Sequence, residues 1–309
     1  MSEIEKAVQK LGLPVTDRYD LPTSQSRFSD GANYRIEISG IERPNVLNAL
    51  IDEMEKRDVP VHRIIGVVMG GMLLSEEELR EFARAAKSAK LEVILGVGPR
   101  SVYDIGAQAR TPEGITAGLR IRGADQLMNA VKDVKRAVDC GIRGFLVFDE
   151  GLLWVLNELR KAGAIPKKTV FKVSIFAGHA NPAAIKVLEG LGANTVNPVA
   201  DLSLPQIASL RSVTSIPLDI FVSIFDSFGG FVRFYEAPEI ARIASPVYFK
   251  IEPGLAAAQY YKSYTSPQML ADLAREKVRQ AQVVIEFVEK YYKEAKLSKL
   301  GVKDLAIPE

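Results

Sequence analysis

Charged residues stand where buried strands should be apolar. Tyr34-Arg35-Ile36-Glu37-Ile38-Ser39 alternates, and Arg35, Glu37 and Ser39 share one side. The same pattern recurs in Phe171-Lys172-Val173-Ser174-Ile175, in Leu218-Asp219-Ile220-Phe221-Val222-Ser223 and in Val247-Tyr248-Phe249-Lys250-Ile251-Glu252. Side chains two apart on a strand point to the same face. Arg35, Glu37, Lys172, Asp219, Lys250 and Glu252 therefore lie on polar sides of otherwise apolar strands. If those sides converge, acids and bases meet in a site of low polarity, where proton transfer and anion binding are favoured. Charges buried merely as filler are costly, whereas active sites commonly retain them.

Each of these residues suggests a role. Glu37, Glu252 and Asp219 are candidate proton carriers. A desolvated Lys250 or Lys172 could attack a carbonyl to form a Schiff base, or could hold a carboxylate or phosphate as a fixed cation. His179, in Gly178-His179-Ala180-Asn181, is a candidate base or metal ligand. Arg35 and Arg100, with Gln108 and Arg110 in the segment that follows, could bind an anion, since guanidinium forks match carboxylate and phosphate oxygens. Ser174, Asn197 and Ser223 fall at strand ends as further polar contacts. Gly229, Gly230 and Arg233, after the seventh strand pattern, suggest a phosphate turn, although a Gly-Gly pair also serves simply as a tight turn. A metal would draw on Glu37, Asp149, His179 and Asp219, an oxygen-rich set suited to Mg or Mn. No HExxH, paired-cysteine or Gly-x-Ser-x-Gly motif is present.

These residues have to be positioned by regular elements. Strand patterns lie near residues 34–39, 62–68, 91–97, 144–149, 169–175, 193–197, 216–223 and 246–251, with amphipathic helical patterns between them. Ser75 with Glu78 has capping-box spacing, and Asn181-Pro182 and Ser203 mark further helix starts. Eight βα units imply an all-parallel sheet closed as a (β/α)8 TIM barrel, with chemistry at the C-terminal ends of the strands. An open doubly wound sheet would usually carry a glycine-rich turn after its first strand, and Ser39-Gly40-Ile41-Glu42-Arg43-Pro44 is not one. The expected division is an N-terminal extension over residues 1–33 covering the barrel, a barrel over residues 34–295 and a C-terminal tail over residues 296–309. Residues 98–123 form an unusually long connection after the third strand, of the kind used as binding loops. His62 and Glu92 fall at strand starts and read as structural.

The 309 residues are 47% hydrophobic, with a net charge of +2. That balance gives no electrostatic reason to expect a nucleic-acid or membrane partner. No apolar run approaches the length of a membrane span, and the N-terminus does not read as a secretory signal. One cysteine, Cys140, excludes an internal disulfide. The expected setting is cytoplasmic and the expected partner a small anionic substrate. The sequence leaves a homo-oligomer open.

Several motifs carry a resemblance to a known family. Phe28-Ser29-Asp30-Gly31-Ala32-Asn33-Tyr34-Arg35-Ile36-Glu37, Gly98-Pro99-Arg100, Asp104-Ile105-Gly106-Ala107-Gln108, Pro217-Leu218-Asp219-Ile220, Phe228-Gly229-Gly230-Phe231-Val232-Arg233 and Ala244-Ser245-Pro246-Val247-Tyr248-Phe249-Lys250 resemble uncharacterised bacterial barrel proteins. Those proteins are related to the collagenase-like peptidase family U-thirty-two. The resemblance implies a TIM barrel and hydrolase activity, and supplies no established residue roles. Members of the wider superfamily that use a cysteine-bound iron–sulfur cluster differ from this chain, which has a single cysteine.

Three functions follow as expectations. The first is an enzyme acting on a small carboxylate- or phosphate-bearing substrate by acid/base chemistry near a carbonyl, as lyases, aldolases and isomerases do. The second is a peptidase-like hydrolase, metal-assisted or metal-free, using Glu37, Asp219 and His179. The third is a non-catalytic anion-binding barrel.

Overall fold

The computed structural model describes residues 1–98, 111, 120–256 and 266–309. Arg100, Gln108 and Arg110 lie outside the described residues. Eight parallel strands close into a barrel in sequence order. They are β1 (Tyr34–Ile41), β2 (Arg63–Gly66), β3 (Glu92–Gly96), β4 (Gly144–Val147), β5 (Val170–Val173), β6 (Thr195–Val196), β7 (Leu218–Ile224) and β8 (Val247–Glu252). Every expected strand is present. β8 closes on β1 with Glu37 opposite Lys250, and β7 sets Phe221 opposite Lys250. The register alone thus brings the charged positions of β1 and β8 side by side.

A short helix, α1 (Glu3–Lys10), precedes the barrel. The outer ring is α2 (Pro44–Arg57), α3 (Glu76–Ser88), α4 (Gly123–Asp139), α5 (Glu150–Lys161), α6 (Pro182–Gly190), α7 (Leu204–Arg211), α8 (Ala237–Ala244) and α9 (Pro267–Tyr291). Local chemistry sets their starts. The Ser75 hydroxyl accepts from Glu78 N, and the Glu78 carboxylate accepts from Ser75 N at 2.8 Å. Asn181 caps α6 through Ala184 N, with Pro182 in the first turn. The helices bury their apolar stripes against the outward residues of the strands, such as Ile36, Val93, Phe145, Phe171 and Phe249.

Inside the barrel a second, separate apolar cluster forms from Ile65, Ile94 and Leu146, with Val68 and Phe148 just beyond the strands. The interior is therefore two-sided. Toward the mouth, β2 to β4 contribute the apolar Ile65, Ile94 and Leu146. Glu37, Lys172, Asp219, Lys250 and Glu252 come from β5 to β1 and are joined deeper in the barrel by Arg63 of β2 and Glu92 of β3. Gly96 permits a tight approach here: a Cβ at that position would lie 2.4 Å from the Val67 carbonyl oxygen. Register shifts in β1, between Ser39 and Ile41, and in β7, between Phe221 and Ser223, lie at the C-terminal ends of those strands. Bulges of this kind re-aim side chains next to sites.

The N-terminal end of the barrel is sealed by both terminal segments. Arg35 is buried there. It donates to the Asp304 carboxylate at 2.8 Å, to Ser298 Oγ at 3.0 Å and to Tyr248 Oη at 3.1 Å, and its guanidinium lies 3.9 Å from the centre of the Phe28 ring. Residues 296–309, read from sequence as a tail, form a packed plug. Leu297 bridges to Tyr34, and Leu305 and Ala306 are buried. Two expected structural residues serve this plug. His62 accepts from Ile36 N and donates to the Ser298 carbonyl, and burial pushes its pKa down to about 4, so it is neutral. Glu92 accepts from Ala306 N. Because Arg35 holds the plug through buried polar contacts, Arg35→Met is expected to lower unfolding free energy by about 3 kcal/mol in urea titrations. An unchanged midpoint would show that the plug does not rely on Arg35.

Candidate active site

Glu37 has no exposed surface and lies among three cations. Its Oε2 is 3.0 Å from Lys172 Nζ and 3.2 Å from an Arg63 guanidinium nitrogen, and its Oε1 is 3.1 Å from Lys250 Nζ. Burial pushes the Glu37 pKa up, but attraction to Lys172, Lys250 and Arg63 outweighs it and holds the carboxyl at about 2. Asp219 shares two of these partners: Lys172 Nζ is 2.6 Å from its Oδ2 and Arg63 is 2.9 Å from its Oδ1. Thr195 Oγ1 donates to Asp219 at 2.6 Å. Burial, together with repulsion from Glu37, raises the Asp219 pKa, although its two cations oppose this. Lys172 is fully buried, and burial lowers its pKa against the pull of Asp219 and Glu37. The network continues toward the plug through Arg63, which pairs with Glu92 and lies 3.6 Å from the Tyr248 ring centre.

Lys250 and Glu252 stand at the open end of this network. Both line a cavity at the C-terminal mouth, together with Ser39 and Ser174. The cavity is narrow, with about 30 Å³ of free volume, and opens at its outer end. Ile65, Val68, Leu146, Phe176 and Phe225 form much of the remaining wall. Burial raises the pKa of Glu252, with Lys250 and Lys277 opposing it. Lys277 reaches in from α9, is itself buried, and donates to the Ser39 carbonyl at 2.6 Å. Burial lowers the Lys277 pKa to about 8. Acids and bases held beneath such a cavity suit a small charged molecule and proton transfer.

The expected site residues thus separate into groups. Lys250, Glu252 and Ser174 line the cavity, and Glu37 lies directly behind Lys250. Lys172 and Asp219 belong to the buried network below and do not line it. Arg35 is corrected: it sits at the opposite end of the barrel in the plug and is not placed to bind substrate. Asn197 is buried, and its amide donates to the Asp219 carbonyl at 2.8 Å. Ser223 is buried beside the bridge to Val232. Gly229 and Gly230 form a turn with φ of 112° and 60°, where a Cβ on Gly230 would lie 2.9 Å from Asp226 Oδ1, so the turn geometry accounts for the glycines. Arg233 pairs with Glu236 and donates to the Leu202 carbonyl at 2.9 Å, which ties it to neighbouring loops rather than to the cavity.

His179 pairs with Glu150 at 2.7 Å, away from Glu37 and Asp219. Asp149 caps α5 by accepting from Leu152 N. The expected metal set is therefore not assembled. Glu37 and Asp219 face lysine and arginine, and among the described residues no group of three or more histidine, cysteine, aspartate or glutamate side chains is arranged to hold a metal.

Arg63 and Lys277 complete the electrostatics and did not emerge from the sequence reading. Arg63 shares a strand face with Ile65, a parity signal like the one that marked Arg35 and Glu37. Lys277 interrupts the buried stripe Leu270, Ala274, Val278 and Ala281 of α9, where an apolar residue would be expected.

No protein-family model and no curated protein matches the chain. Solved structures with a similar fold include the YdjI aldolase from Escherichia coli K12, at 17% identity and a TM-score of 0.44, covering 84% of this chain and 90% of that one. A truncated 3-deoxy-D-arabino-heptulosonate 7-phosphate synthase from Thermotoga maritima has 11% identity and a TM-score of 0.45, covering 92% and 98%. The U32 peptidase Mk0906 has 16% identity and a TM-score of 0.41, covering 76% and 97%. At such scores these similarities bear on neither substrate nor reaction.

Removing the Glu37 charge leaves Lys172, Lys250 and Arg63 facing one anion fewer. Glu37→Gln is therefore expected to cost about 3–5 kcal/mol of stability near neutral pH, measured by urea unfolding. A carboxyl whose pKa is depressed on folding stabilises the protein above its unfolded value near 4.5, and that stability is lost as pH falls toward 2. The wild type should accordingly lose stability more steeply than Glu37→Gln over that acid range. Parallel acid limbs would contradict the assignment.

Proposed function

We propose that this barrel is an enzyme of the lyase, aldolase or isomerase type, acting on a small anionic substrate that carries a carbonyl group. The reading rests on one observation: Lys250 and Glu252, two apart on β8, line the same cavity above a buried ion network. In this reading the ammonium of Lys250, paired with Glu37, acts as a fixed cation. It attracts the substrate anion and stabilises charge developing on the carbonyl oxygen. Its pairing with Glu37 favours this electrostatic role over Schiff-base formation. Glu252 carries the proton. A buried carboxyl of raised pKa is well matched to taking a proton from the carbon beside a carbonyl and returning it. Ser39 and Ser174 offer hydroxyls that orient the substrate.

The peptidase-like alternative would need Glu37, Asp219 and His179 to act at one point, and His179 is paired elsewhere. We infer a free cytoplasmic metabolite as the partner. The buried, unpaired Cys140 fits a reducing compartment. No described helix is long and apolar enough to cross a membrane.

Proton exchange tests the assignment without knowledge of the full reaction. Oxo acids that raise the melting temperature of the wild type would be incubated with protein in deuterated water, and carbon-bound deuterium followed by NMR. Glu252→Gln should retain binding but lose at least about a hundredfold in exchange rate. Lys250→Met should lose both binding and exchange. Undiminished exchange in Glu252→Gln would overturn the role given to Glu252.

A further inference from the structure

The cavity brings together polar groups from β1, β8 and the residue that follows β5: Ser39, Lys250, Glu252 and Ser174. The rest of the lining is apolar: Ile65, Val68, Leu146, Ile175, Phe176, Phe221 and Phe225. These residues belong to β2, β4, β7 and the segments that follow β2, β5 and β7. Ile65, Val68 and Leu146 form part of the separate apolar cluster inside the barrel, which continues through Ile94 and Phe148. Phe148 and Phe176 are also in ring contact, with centroids 6.4 Å apart, and Phe176 meets Phe228 at 5.3 Å. Among the described residues, this apolar lining offers no side-chain hydrogen-bond donor or acceptor.

A polyhydroxylated substrate would turn its hydroxyls toward that wall and lose their hydrogen bonds to water without replacement. An apolar tail would gain from the same contact, by roughly three- to fourfold in affinity for each methylene buried. We propose that the substrate is amphiphilic: an oxo acid whose charged, carbonyl-bearing end meets Lys250 and Glu252 and whose other end is an apolar aliphatic or aromatic group. This inference rests on the function proposed above and narrows it, because it separates apolar-tailed oxo acids from sugar-derived ones.

Calorimetric titration of the purified full chain with pyruvate, phenylpyruvate, ketoisocaproate and ketogluconate distinguishes the two claims. Phenylpyruvate or ketoisocaproate is expected to bind at least about tenfold more tightly than pyruvate and ketogluconate. Val68→Thr, nearly isosteric, puts a hydroxyl into the wall and should shrink that preference by about threefold or more while the protein stays folded by circular dichroism. Ketogluconate binding as tightly as the apolar-tailed acids would overturn the proposed tail and leave the Lys250–Glu252 assignment standing. An unchanged preference in Val68→Thr would likewise overturn the role of this wall. Failure of all four acids to bind would overturn the oxo-acid reading and the inference together.

Discussion

A carboxylate without solvent contact, Glu37, is held between Lys172 at 3.0 Å, Lys250 at 3.1 Å and Arg63 at 3.2 Å, and the rest of the interior is arranged around that anion. Taking a carboxylate out of water is costly unless cations and hydrogen bonds surround it. Glu37 meets the condition with partners from β2, β5 and β8. Each of those cations then needs its own compensation, which Asp219 supplies for Lys172 and Arg63, and Glu92 for Arg63. The chain of pairings runs from the mouth to the plug, where Tyr248 contacts both Arg63 and Arg35. Apolar packing could fill the same space with no such requirement. The network's distinguishing feature is that it ends in Lys250 and Glu252 at an open cavity.

The two-sided interior follows from the same constraint. Charges are tolerable only where they can reach one another, so they gather on β5 through β1, with Arg63 and Glu92 joining from β2 and β3. The remaining inward positions of β2 to β4 are left to Ile65, Ile94 and Leu146. At the mouth, the ionic and hydroxyl groups of Ser39, Ser174, Lys250 and Glu252 share one cavity with an aliphatic and aromatic lining. The low-polarity lining around Lys250 also strengthens any electrostatic interaction made there, since less water is present to screen it.

Much of this was legible in the sequence because strand geometry is simple. Period-two alternation places Arg35, Glu37, Lys172, Asp219, Lys250 and Glu252 on inward faces, and eight βα units closing in order bring β1, β7 and β8 together. Alternation does not reveal depth, however. Arg35 and Glu37 share one face, yet Arg35 lies in the plug and Glu37 beneath the cavity. Lys172 and Lys250 look equivalent by pattern, and only the stagger of the strands decides that Lys250 reaches the mouth. The plug itself was illegible: the apolar residues of 296–309 are scattered among lysines, and their packing depends on Arg35, His62 and Glu92 far away in sequence. Lys277 was hidden for a related reason, because a lysine on a long helix ordinarily points to water and only the surrounding apolar stripe marks it as buried.

The claim that Glu37 anchors the network can be tested by following its carboxyl-carbon resonance in glutamate-labelled protein from about pH 7 down to the acid-unfolding limit. The surrounding cations should keep Glu37 ionised throughout, with no titration near the ordinary value of 4.5 and a protonation approaching only at about pH 2. A Glu37 resonance that titrates at or above 4.5 in folded protein would contradict the account, because a carboxyl that easily gains a proton cannot be what holds Lys250, Lys172 and Arg63 in place.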